Sequence, residues 1–382
     1  MNMELLNKKY HCELEVISPL HIGAGPEKNW INGADFVYDE QRMKIIRLNM
    51  NAMANILGID VLSHILLLRN QKLLKAELAK KGKKLADVAD QEFYFEFTPS
   101  DEIKTLVRNA LNNKPLVPGS SIKGAIRSIL FKHLKGTSNR EQDVFGSANN
   151  GDEFMRYIKI SDAAFDKSDI MQAKIYNLAN DGSSWKGSWK HERKNGNTAQ
   201  FKNTGFHTTY EVIPPGELGC FELMFADKAF QLFNVNNLAN NNASPDLKNS
   251  LPKKRELMNG GISALFRLIN AHTKGFIEKE KAYFAEYNQA DYAAEILDYH
   301  NYLLEQTELG DNSCLMRMAS GSGFFGMTGD WKFKDHLSSI NKPDLDKKGN
   351  PIFYKSRRIV FAKYEGEYDF NPMGYVLMSL KA

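Results

Sequence analysis

Residues 116–134, LVPGSSIKGAIRSILFKHL, leave this chain little freedom in how it can fold. Pro118 and Gly119 make a turn, and Ser120 or Ser121 is placed to accept a hydrogen bond from the first free N–H groups of a helix. Ile122, Ala125, Ile126, Ile129 and Leu130 recur at three-and-four spacing, which predicts one packed face, with Lys123, Arg127 and Lys132 left to the other sides. A helix N-terminus built this way favours phosphate, so Gly119, Ser120, Ser121, Lys123 and Arg127 are candidate anion contacts. Many enzymes open a helix in the same manner without binding an anion, and residue chemistry leaves both readings open. The segment is not GxxxxGK[ST], because Gly119 is followed by Ser-Ser-Ile-Lys-Gly, and nucleotide hydrolysis gains no support from it.

Around this helix the alternation of apolar and polar residues predicts a strand over 10–18 and a hairpin of 34–38 with 42–48, turning at Asp39-Glu40. An open Gly- and Asn-rich loop, 21–33, separates them. Residues 49–81 carry a helical pattern with a Lys-rich end, and a further helix is predicted over about 101–112. Strands follow near 157–160, 174–178, 206–213 and 220–225, with Pro214–Gly219 as a turn between the last two. Residues 227–252 read as a polar loop, 255–274 and 276–306 as helices, and 313–319, 352–361 and 374–380 as strands. Strands and helices mixed in this order predict an α+β protein with a mainly antiparallel sheet.

With 382 residues the chain can bury a substantial core, as one large domain with insertions or two small ones. It has no run of eighteen apolar residues and no apolar leader near its N-terminus, so a cytoplasmic protein is expected, with no membrane contact. Cys12, Cys220 and Cys314 form no CxxC pair, which points away from a zinc cluster; each reads as a small buried residue, and no metal or cofactor is expected. A net charge of +4 is too mild to imply a nucleic-acid partner by itself, so local clustering must make that case.

Such clustering occurs in residues 181–206, where Trp185, Trp189, Phe201 and Phe206 alternate with Lys186, Lys190, His191, Arg193, Lys194 and Lys202. Aromatic rings that stack on bases, interleaved with cations that follow a phosphate chain, hold single strands without reading sequence. A surface loop whose tryptophans pack back onto a sheet would look the same. Gly321, Ser322 and Gly323 begin a glycine-rich loop that permits close backbone approach to a ligand, although a plain hairpin turn explains it equally well. Arg357 and Arg358 suit either phosphate contact or a solvated strand edge.

The word-for-word pattern PGSSIKGAIR before an apolar helix resembles the signature of the RAMP superfamily, the RNA-recognition-motif-like subunits that build CRISPR ribonucleoprotein complexes. Leu14–Gly25, LEVISPLHIGAG, resembles the first strand of these proteins running into a His-Ile-Gly loop, and Ala319–Gly326, ASGSGFFG, resembles their glycine-rich loop. Arg357-Arg358 ahead of Pro372-Met-Gly-Tyr375 resembles the close of one branch, which caps the filament of type III-A (Csm) effector complexes.

The resemblance implies a ferredoxin-like core and one RAMP-type unit over 1–382, with a helical insertion at 49–100, a thumb-like insertion at 181–206, and a loop and helical insertion at 227–312. It implies a non-catalytic subunit that holds the 3′ part of the crRNA and supports its 3′-end maturation in antiviral defence. The expected partners are crRNA, the filament backbone RAMP subunit, the small subunit, a host 3′-trimming nuclease and, indirectly, target RNA. In related filament subunits an Asp in the loop after the first strand is needed to cut target RNA, and Asp35 sits in a similar place after His21. A metal-dependent endoribonuclease working through Asp35 and His21 is therefore the rival reading, against which stands the non-slicing character of the capping branch.

Overall fold

The computed structural model describes residues 7–137, 140–147, 149, 153–180, 182–191, 196–235, 245–320, 344–345, 349, 351–352 and 355–381. Strand β1 (Lys8–Val16) alternates as its sequence requires, with Cys12, Leu14 and Val16 buried and His11 exposed. After the loop come β2 (Trp30–Ile31) and the predicted hairpin of β3 (Phe36–Asp39) and β4 (Lys44–Leu48). The helical stretch is three helices: α1 (Met50–Leu57), α2 (Ile59–Leu68) and α3 (Gln71–Lys80). Gly58 (φ 81°) separates the first two, and the Asn70 carboxamide accepts the N–H groups of Lys72 and Leu73 to start the third. Met53, Ile65 and Leu74 pack on the Val37–Ile46 face of a three-stranded sheet that β5 (Ala89–Tyr94) completes by pairing with β4.

The helix predicted over 101–112 does not form. Glu102–Lys104 is strand β6, and the asparagines beyond it make a turn: Asn109 Oδ1 accepts the Leu111 N–H at 2.8 Å, Asn113 takes φ 58°, and Arg108 pairs with Pro115. Local side-chain bonds of this kind compete with the helix ladder. Strand β7 (Leu116–Val117) then leads into α4 (Gly119–Leu134), which buries Ile122, Ile126, Ile129 and Leu130 as its spacing predicts. The expected serine cap is absent, because Pro118 occupies the cap position and neither serine bonds back to the helix start.

Beyond the short helix α5 (Glu141–Phe145) lie β8 (Ile158–Ile160), β9 (Ala163–Ala164), β10 (Asp169–Asn180), β11 (Trp185–Lys190), β12 (Asn197–Thr198), β13 (Thr208–Val212) and β14 (Leu218–Phe225). Four of these match predicted strands; β11 lies within the stretch that reads as an insertion. The expected loop at 227–252 contains short helical turns at Asp227–Ala229, Phe230–Val235 and Pro245–Asn249, which bury Phe230 and Leu247; residues 236–244 lie outside the described residues. Helix α6 (Leu251–Glu286) is broken at Gly261 (φ 62°, ψ −140°), where a Cβ would meet the Tyr10 hydroxyl at 2.7 Å. Helix α7 (Ala293–Gln306), β15 (Ser313–Arg317), a ribbon of β16 (Asp344–Leu345) with β17 (Pro351–Ile352), the hairpin β18 (Ser356–Tyr364) and β19 (Glu367–Pro372), and β20 (Tyr375–Leu380) complete the chain. Cys12 and Cys314 are buried as expected, but Cys220 is exposed, on the outward side of β14.

Two large sheets result. The first runs β15-β20-β1-β14-β9-β7, with β8 also on β14, and the chain crosses it through α4 and α6. Cys12 sits opposite Phe221 and Leu380, so the apolar sides of the central strands coincide and pack on the buried sides of both helices. The second runs β12-β11-β10-β13-β6-β2, with β18 on β10 and β19 on β18, and its core is aromatic, built on Tyr176, Trp189, Tyr283, Phe361 and Phe370.

Helix α6 joins the two sheets through a buried charge cluster. Glu280, 2% exposed, receives Arg357 Nε of β18 at 2.8 and 3.1 Å, while Arg317 of β15 stands 3.8 Å away and donates its own Nε to the Met373 carbonyl. Truncating one member of a buried ion cluster strands the others, at roughly 3–5 kcal/mol. Glu280→Ala is therefore expected to lower unfolding stability by about that amount, read from the urea midpoint.

His300 is fully buried nearby, and its Nδ1 lies 2.7 Å from the Ile296 carbonyl. Burial pushes its pKa from 6.5 down to about 4, against the pull of Glu280 and with help from Arg317 and Arg357. The folded state therefore binds the proton less readily than the unfolded chain, and stability complete above pH 6.5 is lost as pH falls from 6.5 toward 4, by roughly 1 kcal/mol per unit. His300→Phe is expected to flatten this segment of the stability curve relative to the parent.

Candidate nucleic-acid interface

The start of α4 is already charge-balanced from within. Asp162 Oδ1, in the turn between β8 and β9, accepts the Gly119 N–H at 2.7 Å, and the Ser121 N–H turns back to the Pro118 carbonyl at 2.8 Å. Gly119 is required because a Cβ there would run into the carbonyl oxygens of Ile160 and Ser161. The carboxylate thus takes the place at the helix dipole that an external phosphate would occupy, and Ser120 is left exposed beside it.

One turn further on, Lys123 is half-buried; desolvation lowers its pKa, Arg127 and Lys159 lower it further, and Glu153 opposes them. Arg127 is engaged in structure: its guanidinium meets Glu141 at 3.1 Å and Glu153 at 3.9 Å and lies 5.0 Å above the Phe145 ring. Lys123, Arg127 and Lys159 therefore share one positive patch where α4 meets β8.

The aromatic-basic stretch divides. Trp189 is fully buried, its Nε1 donating to the Asp291 carbonyl at 2.8 Å and its ring against Tyr176, Phe201 and Phe370, so it cannot stack on a base. Trp185, at the other end of β11, is only partly buried and carries Lys355 Nζ 5.1 Å from its ring; Lys190 lies 4.6 Å from the ring of Phe206. Four residues apart, the two rings lie on the same side of β11; Trp189 pairs with Tyr176 within β10, where the aromatic core covers it, while Trp185 pairs with Asn180 at the end of that strand and packs only at the margin of the same core. Arg193 and the loop residues Gly321, Ser322 and Gly323 lie outside the described residues.

Arg357 and Arg358 also part company. Arg357 is neither a solvated edge nor a phosphate contact: it is 6% exposed, bound to Glu280 and seated 3.9 Å above Tyr283. Arg358 points to the opposite side of β18, 5.5 Å above Tyr210. There it neighbours His21, which is 4% exposed, directs Nδ1 to the Glu211 carbonyl at 2.7 Å and packs edge-on against Tyr210. Burial lowers the His21 pKa, Glu211 opposes that shift, and Arg358 and Lys104 reinforce it. Asp35 has a separate task, its Oδ2 accepting the Ile31 N–H at 2.8 Å to close the turn before β3. Among the described residues no group of three His, Cys, Asp or Glu side chains could hold a metal ion.

Sequence reasoning misses a second basic recess of 350 Å³ lined by Lys28, Trp30, Arg47, Arg108 and Glu211. Arg47 lies 4.9 Å above Trp30, and Glu211, fully buried, accepts from Arg108, from Ser168 Oγ at 2.9 Å and from the Leu106 N–H at 2.9 Å. These residues come from separate stretches of the chain, and none stands in a local motif that could have announced the recess.

A family model of the RAMP superfamily matches residues 13–267. The CRISPR system Cms endoribonuclease Csm3 of Enterococcus italicus is 39% identical over 72 residues, 16% of this chain and 34% of its own, so the chain spans about a third of that relative's length. A chain in the cryo-EM structure of a Csm–crRNA–target RNA ternary complex of a type III-A CRISPR-Cas system has the same fold, with TM-score 0.61 at 19% identity over 98% of this chain and 100% of that one. The crystal structure of T. onnurineus Csm5 matches with TM-score 0.58 at 18% identity over 95% of this chain and 99% of its own. No helix among the described residues is long and apolar enough to cross a membrane. With a family match that runs from within β1 through α4 and β14 and covers most of the residues, the chain belongs to the RAMP superfamily.

Proposed function

We propose that the chain is a non-catalytic RNA-binding subunit of a type III-A (Csm) CRISPR effector complex, the one that caps the filament and holds the 3′ part of the crRNA. The observation that carries this reading is end-to-end coverage: both solved relatives are spanned almost completely, and one of them belongs to a complex that contains crRNA and target RNA. The strand order β20-β1-β14-β8, crossed by α4 and α6, supports a ferredoxin-like core within the first sheet.

On this reading Lys123 and Lys159, with Arg127 fixed beside them, follow the guide phosphates, and Ser120 and Ser121 flank that path. Trp185 with Lys355 and, at the other end of β11, Phe206 with Lys190 each offer a ring next to a cation, and Arg358 lies on the same side of its sheet as Tyr210. Arg193 and the Gly321–Gly323 loop remain guide contacts on the family resemblance alone. Neighbouring filament and small subunits, a 3′-trimming nuclease and, through the guide, target RNA complete the proposed set of partners.

The likeness over 72 residues to a protein named an endoribonuclease favours one competing reading, cleavage through Asp35 and His21. The turn-closing bond of Asp35 and the burial of His21 support structural work for both.

Fluorescence anisotropy of a labelled single-stranded RNA of guide length separates the two readings. Binding is expected to weaken as salt rises, and Lys123→Ala/Lys159→Ala is expected to reduce the slope of log K against log salt by about 0.7 for each phosphate that is no longer neutralised. On a denaturing gel the RNA stays intact with Mg²⁺ present. Salt-insensitive or absent binding would overturn the guide-holding reading, and cleavage abolished by Asp35→Ala would establish the competing one.

A further inference from the structure

The side of α4 turned away from Lys123 is cationic as well. Lys132 lies nine residues beyond Lys123, about half a turn around the helix axis, and borders a groove of 520 Å³ between α4 and α6. The floor of the groove is aliphatic, with Ile129 from α4 and Leu257, Ala264, Leu268 and Ala271 from α6. Its rim carries Lys132, Lys253 and Arg267 against one lining carboxylate, Glu256.

The rim is arranged across both helices. Lys253 Nζ reaches over to the His133 carbonyl at 2.8 Å, and Arg267 is held by Asp311 at 2.5 Å on its outer side. Burial, with Lys132 and Lys279 nearby, pushes His272 down to about 3, and burial with Lys253 lowers His133 against the pull of Glu256. Both rings are therefore neutral near pH 7, and the positive potential of the groove comes from its lysines and arginine.

We propose that this groove docks an acidic amphipathic helix of a partner protein. An aliphatic trough between two helices accepts side chains recurring at i, i+3, i+4 and i+7, and a cationic rim selects a helix flanked by carboxylates. Single-stranded RNA fits less well, since such strands are held on aromatic platforms and the lining contains no Phe, Tyr or Trp. The groove is separate from the proposed guide path, so a protein helix and the guide can occupy opposite sides of α4 together.

The test uses the full chain and a fluorescein-labelled, designed 18-residue helix with Leu on one stripe and Glu on its flanks. A scrambled peptide and an oligouridylate serve as comparisons. Saturable binding of the designed helix is expected, weakened at least tenfold by Lys253→Glu/Arg267→Glu. Ala271→Trp, which fills the exposed trough without changing its charge, is expected to weaken binding to a similar degree, and Lys123→Ala to leave it unchanged. Equal binding of the scrambled peptide, or no binding, would overturn the proposal. Displacement of the helix by oligouridylate, with RNA affinity abolished in the same groove variants, would overturn it in favour of a nucleic-acid surface. None of these outcomes depends on the guide-holding reading, which rests on the other side of the helix.

Discussion

The carboxylate of Glu280 lies between guanidinium groups contributed by two different sheets, and the rest of the molecule takes its arrangement from that meeting. Arg317 arrives from β15 of the first sheet and Arg357 from β18 of the second, while Glu280 itself is carried on α6, the helix that packs against both cores. Three charges taken out of water are stable only as a set, so β15, β18 and α6 must come together in one geometry. Arg357 is held further by the Tyr283 ring, and Tyr283 by its bond to the Lys355 carbonyl. The strand that carries Arg357 inward thereby presents Arg358 on its other side. The buried cluster is in this sense what aims part of the candidate surface.

The basic residues of this protein consequently fall into two populations. Arg108, Lys254, Arg317 and Arg357 hold internal carboxylates or carbonyls and act as parts of the core. Lys123, Lys159, Lys190, Lys355 and Arg358 stand at or near the surface, several of them beside aromatic rings. A modest net charge hides this division, since it counts both populations alike. Helix α4 illustrates it at small scale: its first N–H is satisfied by Asp162, and its cations lie on two sides with different surroundings, one beside β8 and one along the groove with α6.

Much of the frame is legible in the sequence because it depends on local periodicity. The alternation of Cys12, Leu14 and Val16 and the three-and-four spacing of Ile122, Ile126 and Ile129 each report one buried side, and both elements form where expected. The misreadings arise where a distant partner decides. Asp162 lies 43 residues from Gly119 and replaces the serine cap; Glu280 lies 77 residues from Arg357 and draws it inward. In 185–190 the pattern WKGSWK is ambiguous between an exposed aromatic-basic loop and a strand, and only the aromatic core around Tyr176 resolves it for Trp189. Adjacent Arg357 and Arg358 could have been separated from sequence alone, because neighbours in a strand face opposite ways and cannot share one task.

On the proposed reading, the 3′ part of a guide RNA runs beside the start of α4. The most direct test places 4-thiouridine at single positions along a crRNA, assembles the complete Csm complex with this chain, irradiates it and maps the crosslinked peptides. Labels in the 3′ part are expected to fall on peptides containing Lys123, Lys159 or Trp185, with 5′ labels going to other subunits. Crosslinks from the 3′ part that fall only on neighbouring subunits would contradict that path.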